Sequence, residues 1–295
     1  MSALLIVGHG TTDTAGVRQF GELVEVVRQQ TSQDVEGGFL ELASPPIQEA
    51  VSALVAAGHR CVDVVPLVLV AAGHSKGDIP AALERERLRH PGLSFRYGRP
   101  LGPHPLLLED LTSRLTAAAS VATDLAVVLV GRGSTDPDAN AEVAKTSRLL
   151  LEGRALGTVE TAFVSLAEPG VPAALERAAR LGFERIVVLP YFLFEGVLPD
   201  RITEQSERWG ADHPALDVSV AGLIGPSPNL AALVVERAGE IAGKPIRMNC
   251  DTCMYRTLMP GFEGKVGQPQ TPHDHPDDPA HPHSHSHGNG HDHQH

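Results

Sequence analysis

Two histidines and a glutamate stand out because each lies at or just beyond the end of an apolar run. His9 follows the run at 4–7, Glu41 is in the run at 36–42, and His74 lies in a loop beyond the run at 61–70. Neutral imidazoles are good ligands for Co²⁺, Fe²⁺, Ni²⁺ or Zn²⁺. A nearby carboxylate can accept a proton or orient a ring. These residue types predict a site that binds a divalent metal and exchanges protons.

These residues lie in the first of two similar halves. Residues 4–13 read LLIVGHGTTD and return as VVLVGRGSTD at 127–136. Three more segments recur in the same order, at nearly constant spacing: 38–45 as 162–169, 64–69 as 188–193, and 100–105 as 223–228. Four ordered matches indicate an internal duplication.

The polar residues differ between the two copies, although the apolar scaffold matches. The second copy replaces four polar residues of the first, with Arg132 for His9, Ser165 for Glu41, Leu198 for His74 and Ser227 for His104. A duplication that keeps its folding pattern but loses its polar set indicates that only the first copy carries out chemistry.

Each copy alternates short apolar runs with amphipathic stretches, which predicts an α/β fold with a parallel sheet covered on both faces. In the first copy we expect strands at 3–7, 36–42, 61–70 and 93–97, a helix at 14–30, and another opening at 44–46 with Ser44 as its cap. We therefore expect two similar doubly wound domains, at 1–120 and 121–245. In such sheets ligands bind beyond the carboxyl ends of the strands, where His9, Glu41 and His74 fall.

The composition argues against a nucleic-acid-binding protein, a membrane protein and a disulfide-rich protein. The chain has 295 residues, a formal net charge of −12, 42% apolar residues and three cysteines. Its acidic balance argues against a nucleic-acid partner, because phosphates require clustered Lys and Arg. No run is long enough to cross a bilayer, and three cysteines make no disulfide framework. We expect a cytoplasmic globular protein without a membrane partner.

The stretch from the Gly8-His9-Gly10-Thr11 segment to residues 66–80 resembles the class II tetrapyrrole chelatases of the CbiX type, in their long form. The resemblance extends over both halves, a later Met-x-Cys-x-x-Cys segment and a histidine-rich tail. It implies that His9 and His74 are the catalytic, metal-binding histidines and that Glu41 is their acidic partner. The loop before His74 reads Ala72-Gly73 here, whereas many members of that family have two glycines at these positions.

The resemblance also implies the reaction. The substrate would be sirohydrochlorin, metallated without a nucleotide. The Cys-x-x-Cys segment and the histidine-rich tail favour Co²⁺ and cobalamin synthesis, with Fe²⁺ and sirohaem as the alternative. We expect the substrate's carboxylates to meet Gly10, Thr11 and other residues at the first helix N-terminus, together with Lys76. His104, before a later helix, is either a further substrate contact or a helix cap. The inactive half would complete the wall of the cleft.

The last part of the chain has its own metal-binding signals. Cys250 and Cys253 form a Cys-x-x-Cys in the segment 246–263, which suits a redox pair, half of a zinc site or cluster ligation. The resemblance implies an iron–sulfur cluster there, which would need further ligands or a second chain. The tail at 264–295 holds nine of the fifteen histidines, and we expect it to be disordered and to buffer or deliver metal ions.

Two readings compete with a chelatase. The folded part could belong to a metal carrier or store that only presents the tail. A histidine after a strand also occurs in histidine phosphatases, but there Arg precedes the histidine, whereas Gly8 precedes His9. The sequence leaves open a monomer or a homodimer.

Overall fold

Two copies of one strand–helix series make up the chain, and our computed structural model describes residues 2–243 and Gly264. The first copy contains β1 (Ala3–Gly8), α1 (Thr14–Gln30), β2 (Val35–Phe39), α2 (Ile47–Ala56), β3 (Cys61–Pro66), a π-helical turn (His74–Asp78), α3 (Ile79–Arg89), β4 (Ser94–Tyr97) and α4 (Pro105–Ala118). The second contains β5 (Leu125–Gly131), α5 (Pro137–Leu151), β6 (Thr158–Phe163), α6 (Val171–Arg180), β7 (Arg185–Pro190), α7 (Val197–Asp212), β8 (Asp217–Val220) and α8 (Pro228–Gly243).

Each copy forms a four-stranded parallel sheet, in the order β2-β1-β3-β4 and β6-β5-β7-β8. The central strands β1 and β5 are apolar and buried along their whole length. A strand covered by helices on both faces needs such a continuous apolar run. The predicted fold class, two similar doubly wound α/β units, is confirmed.

Helix α1 begins and ends where the sequence predicted. Phe20, Leu23 and Val27 bury its apolar face against the sheet, and the Asp13 carboxylate caps its N-terminus. Within residues 2–243, no helix has both the length and the apolar character of a membrane span.

Two strands end earlier than expected, and one cap was wrong. β2 stops at Phe39 and β3 at Pro66, because their neighbour β1 ends at Gly8 and offers no further pairing. The cap of α2 is Pro46, without a side-chain hydrogen bond, so Ser44 does not cap the helix. Residues 45–46 instead lie beside the end of β2, where the Phe39 amide donates to the Pro45 carbonyl.

The last helix of each copy packs across the boundary between the copies. Helix α4 contacts β7, and α8 contacts α1 and β3. One apolar cluster therefore joins both copies. The Arg237 side chain of α8, 1% exposed, donates hydrogen bonds to the carbonyls of Pro100 and Leu101. Neither copy completes its own core.

Candidate functional site

The fold brings His9, Glu41 and His74 together, although they are far apart in sequence. They follow β1, β2 and β3, which are neighbours in the first sheet. His9 Nε2 lies 3.0 Å from His74 Nε2 and 3.0 Å from Glu41 Oε1. Three such atoms repel one another unless a hydrogen atom or a metal ion lies between them, so this arrangement favours binding of a proton or a metal ion.

A close backbone approach holds Glu41 beside His9. The Glu41 amide donates to the His9 carbonyl at 3.0 Å. Gly10 has a φ of 106°, and a Cβ there would lie only 1.8 Å from the Glu41 carbonyl oxygen. Only glycine permits both this φ and this contact. The second copy repeats the arrangement with Gly133 and Ser165, without the carboxylate.

His74 opens the π-helical turn, in which Asp78 lies four residues later. The Asp78 carboxylate is 2.8 Å from His74 Nδ1. Carboxylates in this position orient metal-binding histidines. Sequence analysis missed Asp78, although its spacing places it on the same side of one helical turn as His74.

The hydrogen bonds set which ring nitrogen can bind a metal. Asp78 requires His74 Nδ1 to donate, and His9 Nδ1 lies 3.2 Å from the Gly10 carbonyl, which likewise requires a donor. With both Nδ1 atoms donating, both Nε2 lone pairs are available to a metal ion, whereas without a metal His9 can donate from Nε2 to Glu41 Oε1, 3.0 Å away. Burial, followed by His9 and Arg132, lowers the pKa of His74 to about 4 against the opposing effect of Asp78. His74 is therefore neutral near pH 7, as a metal ligand must be.

The spacing of the two Nε2 atoms suits a shared metal ion. Nitrogen ligands lie at about 2.1 Å from such ions, so two ligands at a right angle are about 3.0 Å apart, the separation of these atoms. Within residues 2–243, no group of three or more His, Cys, Asp or Glu side chains is arranged to hold a metal. We assign only the two histidine nitrogens as ligand atoms.

Arg132 contributes a positive charge from the second copy. It follows β5 as His9 follows β1, and its carbonyl accepts from the Ser165 amide, as that of His9 accepts from Glu41. The side chain is solvent-exposed. Even so, the surrounding protein partly desolvates the guanidinium, which lowers its pKa below the usual value, against an opposing effect of the Glu41 charge. The sequence comparison treated Arg132 only as a lost histidine. Its correspondence with His9 was the available signal, but its place near His74 depends on how the two copies pack.

Lys76 does not have the surroundings that were expected for a substrate contact. Its Nζ lies 2.7 Å from Asp136 Oδ2 and 3.0 Å from Asp138 Oδ2, and its side chain is 5% exposed. A buried ammonium held by two carboxylates argues against contact with an anionic substrate, so the predicted contact is not carried into the proposed function.

The first amides of α1 are also occupied. Asp13 Oδ1 accepts from the amides of Ala15 and Gly16, at 2.8 and 3.0 Å. Thr11 Oγ1 accepts from the Asp13 amide at 3.1 Å. The expected anion site at this helix N-terminus is thus filled by the chain's own carboxylate. The same contacts remove the phosphate cradle that a histidine phosphatase would use.

His104 has the capping role that the sequence left open. Its Nδ1 accepts from the Leu106 amide at 3.3 Å, and its Nε2 lies 3.1 Å from Glu236. Its counterpart Ser227 caps α8 in the same way, through the Leu230 amide. Both copies therefore use this position to begin a helix.

Some predicted features lie outside the described residues. These are Cys250 and Cys253, which were expected to hold a cluster, and the histidine-rich tail.

Comparison with known proteins agrees with this architecture. The CbiX family model matches residues 3–118 and 126–241, one match for each copy. A sirohydrochlorin cobaltochelatase of Priestia megaterium is 38% identical over 87% of this chain and 85% of its own length. A sirohydrochlorin ferrochelatase of the same organism is 32% identical, covering 79% of this chain and 88% of its own.

Solved structures give the same result. SirB from Bacillus subtilis with Fe³⁺ superposes with a TM-score of 0.73 at 30% identity, over 82% of this chain and 96% of that one. SirB from B. subtilis subspecies spizizenii in complex with cobalt superposes with a TM-score of 0.72 at 30% identity, over 83% and 97%. With both copies matched by the family model, this chain belongs to the CbiX family.

Proposed function

We propose that this chain inserts a divalent metal ion into sirohydrochlorin. The observation that carries the proposal is the convergence of His9 Nε2 and His74 Nε2 at 3.0 Å, beside the Glu41 carboxylate. Two neutral imidazoles can hold a metal while leaving coordination positions for the ring nitrogens. The relatives named sirohydrochlorin cobaltochelatase and ferrochelatase support the choice of tetrapyrrole.

Cobalt is the proposed physiological metal, which would make the product an intermediate of cobalamin synthesis. The relative at 38% identity is named a cobaltochelatase. Iron and sirohaem are the second candidate, because relatives at 32% and 30% identity are named ferrochelatases. Imidazole ligands suit both ions.

In the proposed mechanism, the Nε2 atoms of His9 and His74 present the ion to one face of the macrocycle. Ring nitrogens replace water and then the imidazoles as ligands. Insertion releases two protons from pyrrolic N–H groups, one for each positive charge that enters the ring. Glu41 Oε1, 3.0 Å from His9 Nε2, can accept a proton directly or through that imidazole.

Arg132 is the proposed anchor for a peripheral carboxylate of the substrate. Its exposed guanidinium follows β5, on the second copy, and its charge acts on both His74 and Glu41. Arginine binds carboxylates through paired hydrogen bonds. Gly10 and Thr11 remain proposed substrate contacts because they lie beside His9. The amides of α1 do not support this proposal, since Asp13 already occupies them.

The test is anaerobic insertion of Co²⁺ and Fe²⁺ into sirohydrochlorin, followed by absorbance, with wild type, His9→Ala and His74→Ala. We expect wild type to insert metal faster than the spontaneous reaction does, and we expect the insertion rate of each variant to be at least about tenfold lower than that of wild type. Equal rates for wild type and the spontaneous reaction would exclude a chelatase and favour the carrier reading. Visible Co²⁺ absorption that is lost in His9→Ala would separately report metal at this site, excluding signal from the tail.

The proposed cluster and the proposed role of the tail each have a direct test. Iron and acid-labile sulfide analysis after anaerobic purification tests the proposed cluster at Cys250 and Cys253. Activity at scarce metal, with and without residues 264–295, tests metal delivery by the tail. Sedimentation distinguishes monomer from homodimer, and cell fractionation tests the cytoplasmic location.

A further inference from the structure

The two copies meet through a pair of matching contacts. The Glu142 carboxylate accepts from the Ala71 amide at 3.1 Å, and the Gln19 side chain accepts from the Glu195 amide at 2.8 Å. Gln19 and Glu142 occupy equivalent positions on α1 and α5, and Ala71 and Glu195 occupy equivalent positions after β3 and β7. Each copy therefore holds the loop beyond the third strand of the other.

One side of this interface has an additional set of ion pairs. Lys76 Nζ contacts Asp136 and Asp138, and the three side chains are at most 7% exposed. The counterparts of Lys76 and Asp138 are Asp200 and Ala15, which cannot form such a pair. Among residues 2–243, these ion pairs lie only on the side that carries His74.

Lys76 lies in the middle of the π-helical turn, between His74 and Asp78. The Tyr97 hydroxyl donates to the Ser75 carbonyl at 2.8 Å, which holds the turn on its own sheet. On the other side, Asp136 caps α5 through the Asp138 amide, so both aspartates belong to a fixed helix N-terminus. Lys76 thus joins the turn to a rigid element of the second copy.

We propose that Lys76, Asp136 and Asp138 are positioning residues that hold His74 Nε2 in ligand geometry with His9. Buried ion pairs contribute little net stability compared with apolar packing, but they fix geometry when fully paired. The second copy would then supply, besides part of the cleft, the support that orients a metal ligand in the first. This role rests on the proposed function of His9 and His74.

The test removes the charges without leaving one of them buried alone. Lys76→Met by itself strands two buried carboxylates and can unfold the protein. The neutral triple variant Lys76→Met, Asp136→Asn, Asp138→Asn avoids this, because Asn also caps helices. We expect the full-length triple variant to fold, with kcat for Co²⁺ insertion and the His9-dependent Co²⁺ absorption each reduced about tenfold, and with little change in KM for sirohydrochlorin. Lys76→Arg keeps the cation and should retain most of both signals.

Gln19→Met is the control, because it removes an inter-copy contact, the one to the Glu195 amide, on the side without His74. It should lower the melting temperature while keeping kcat and the His9-dependent absorption. A triple variant with wild-type kcat and absorption would overturn the positioning role. Equal losses in Gln19→Met would also overturn it, because the ion pairs would then act only as interface contacts. If wild type did not accelerate insertion, the proposed function would be refuted. The positioning role would still hold if the triple variant had lost the His9-dependent Co²⁺ absorption that wild type shows.

Discussion

At the scale of single residues, ligand orientation depends on groups that have no role of their own in metal binding. Asp78 holds His74 Nδ1 at 2.8 Å, and the Gly10 carbonyl lies 3.2 Å from His9 Nδ1. Each contact turns a lone pair on Nε2 toward the other histidine. Without them either ring could rotate or change tautomer, and the ligand pair would be lost.

Asp78→Asn is expected to reduce His9-dependent Co²⁺ absorption and the insertion rate by about tenfold, because the amide holds the His74 ring less firmly. Metal titrations and initial rates measure the two effects. Asp34→Asn is a matched control, since Asp34 pairs with His59 at 2.7 Å and is exposed. It should leave both quantities unchanged. An Asp78→Asn variant with wild-type metal binding would contradict the orienting role.

Arg132→Leu should raise KM for sirohydrochlorin about 10- to 150-fold, with kcat nearly unchanged, because a charged hydrogen bond to substrate contributes about 1.5–3 kcal/mol. Arg132→Lys should restore part of the affinity. Steady-state kinetics at saturating Co²⁺ measures both. Arg185→Leu, which removes a partly exposed arginine paired with Asp124 at the amino end of β7, is the control and should leave KM unchanged. An unchanged KM in Arg132→Leu would exclude the anchor.

At the scale of elements, sequence patterns located the segments better than their ends. The predicted bounds of α1 agree with the structure because its apolar spacing and its cap Asp13 point to the same limits. The predicted strands β2 and β3 were longer than the observed ones, because the apolar residues continue past Phe39 and Pro66. Strand length depends on pairing with β1, which ends at Gly8, and this information is not local.

Gly10→Ala and its counterpart Gly133→Ala distinguish an effect on stability from an effect on the geometry of the metal site. In each, the new Cβ would meet a carbonyl oxygen at 1.8 Å, at a φ of 106° or 85°. Backbone strain alone should lower the free energy of unfolding by about 1–3 kcal/mol in both variants. Only Gly10→Ala should also lose the His9-dependent Co²⁺ absorption, because only it displaces Glu41 and His9. Denaturant unfolding and Co²⁺ spectra test this, and equal absorption in the two variants would contradict it.

At the scale of the whole molecule, the sequence predicted two similar units but not how they share helices. The predicted bounds at 1–120 and 121–245 place α4 in the first unit and α8 in the second. The packing of α4 on β7 and of α8 on α1 and β3 follows from the three-dimensional arrangement of the copies. For the same reason, His9, Glu41 and His74 could be predicted as a group from one copy, whereas the placement of Arg132 needed the relation between the copies.

This sharing of helices predicts that residues 1–120 do not form a stable monomer. Without α8, the apolar faces of α1 and β3 lose their cover, and α4 presents Leu107, Leu111 and Leu115 with no β7 to pack on. Exposed apolar faces of this kind drive self-association. Sedimentation of the fragment should show dimers or aggregates, and adding residues 121–295 should restore a 1:1 complex with insertion activity. A well-folded, active monomer of residues 1–120 would show that the second copy is dispensable, and the support that it gives to the His74 turn would then be unnecessary for catalysis.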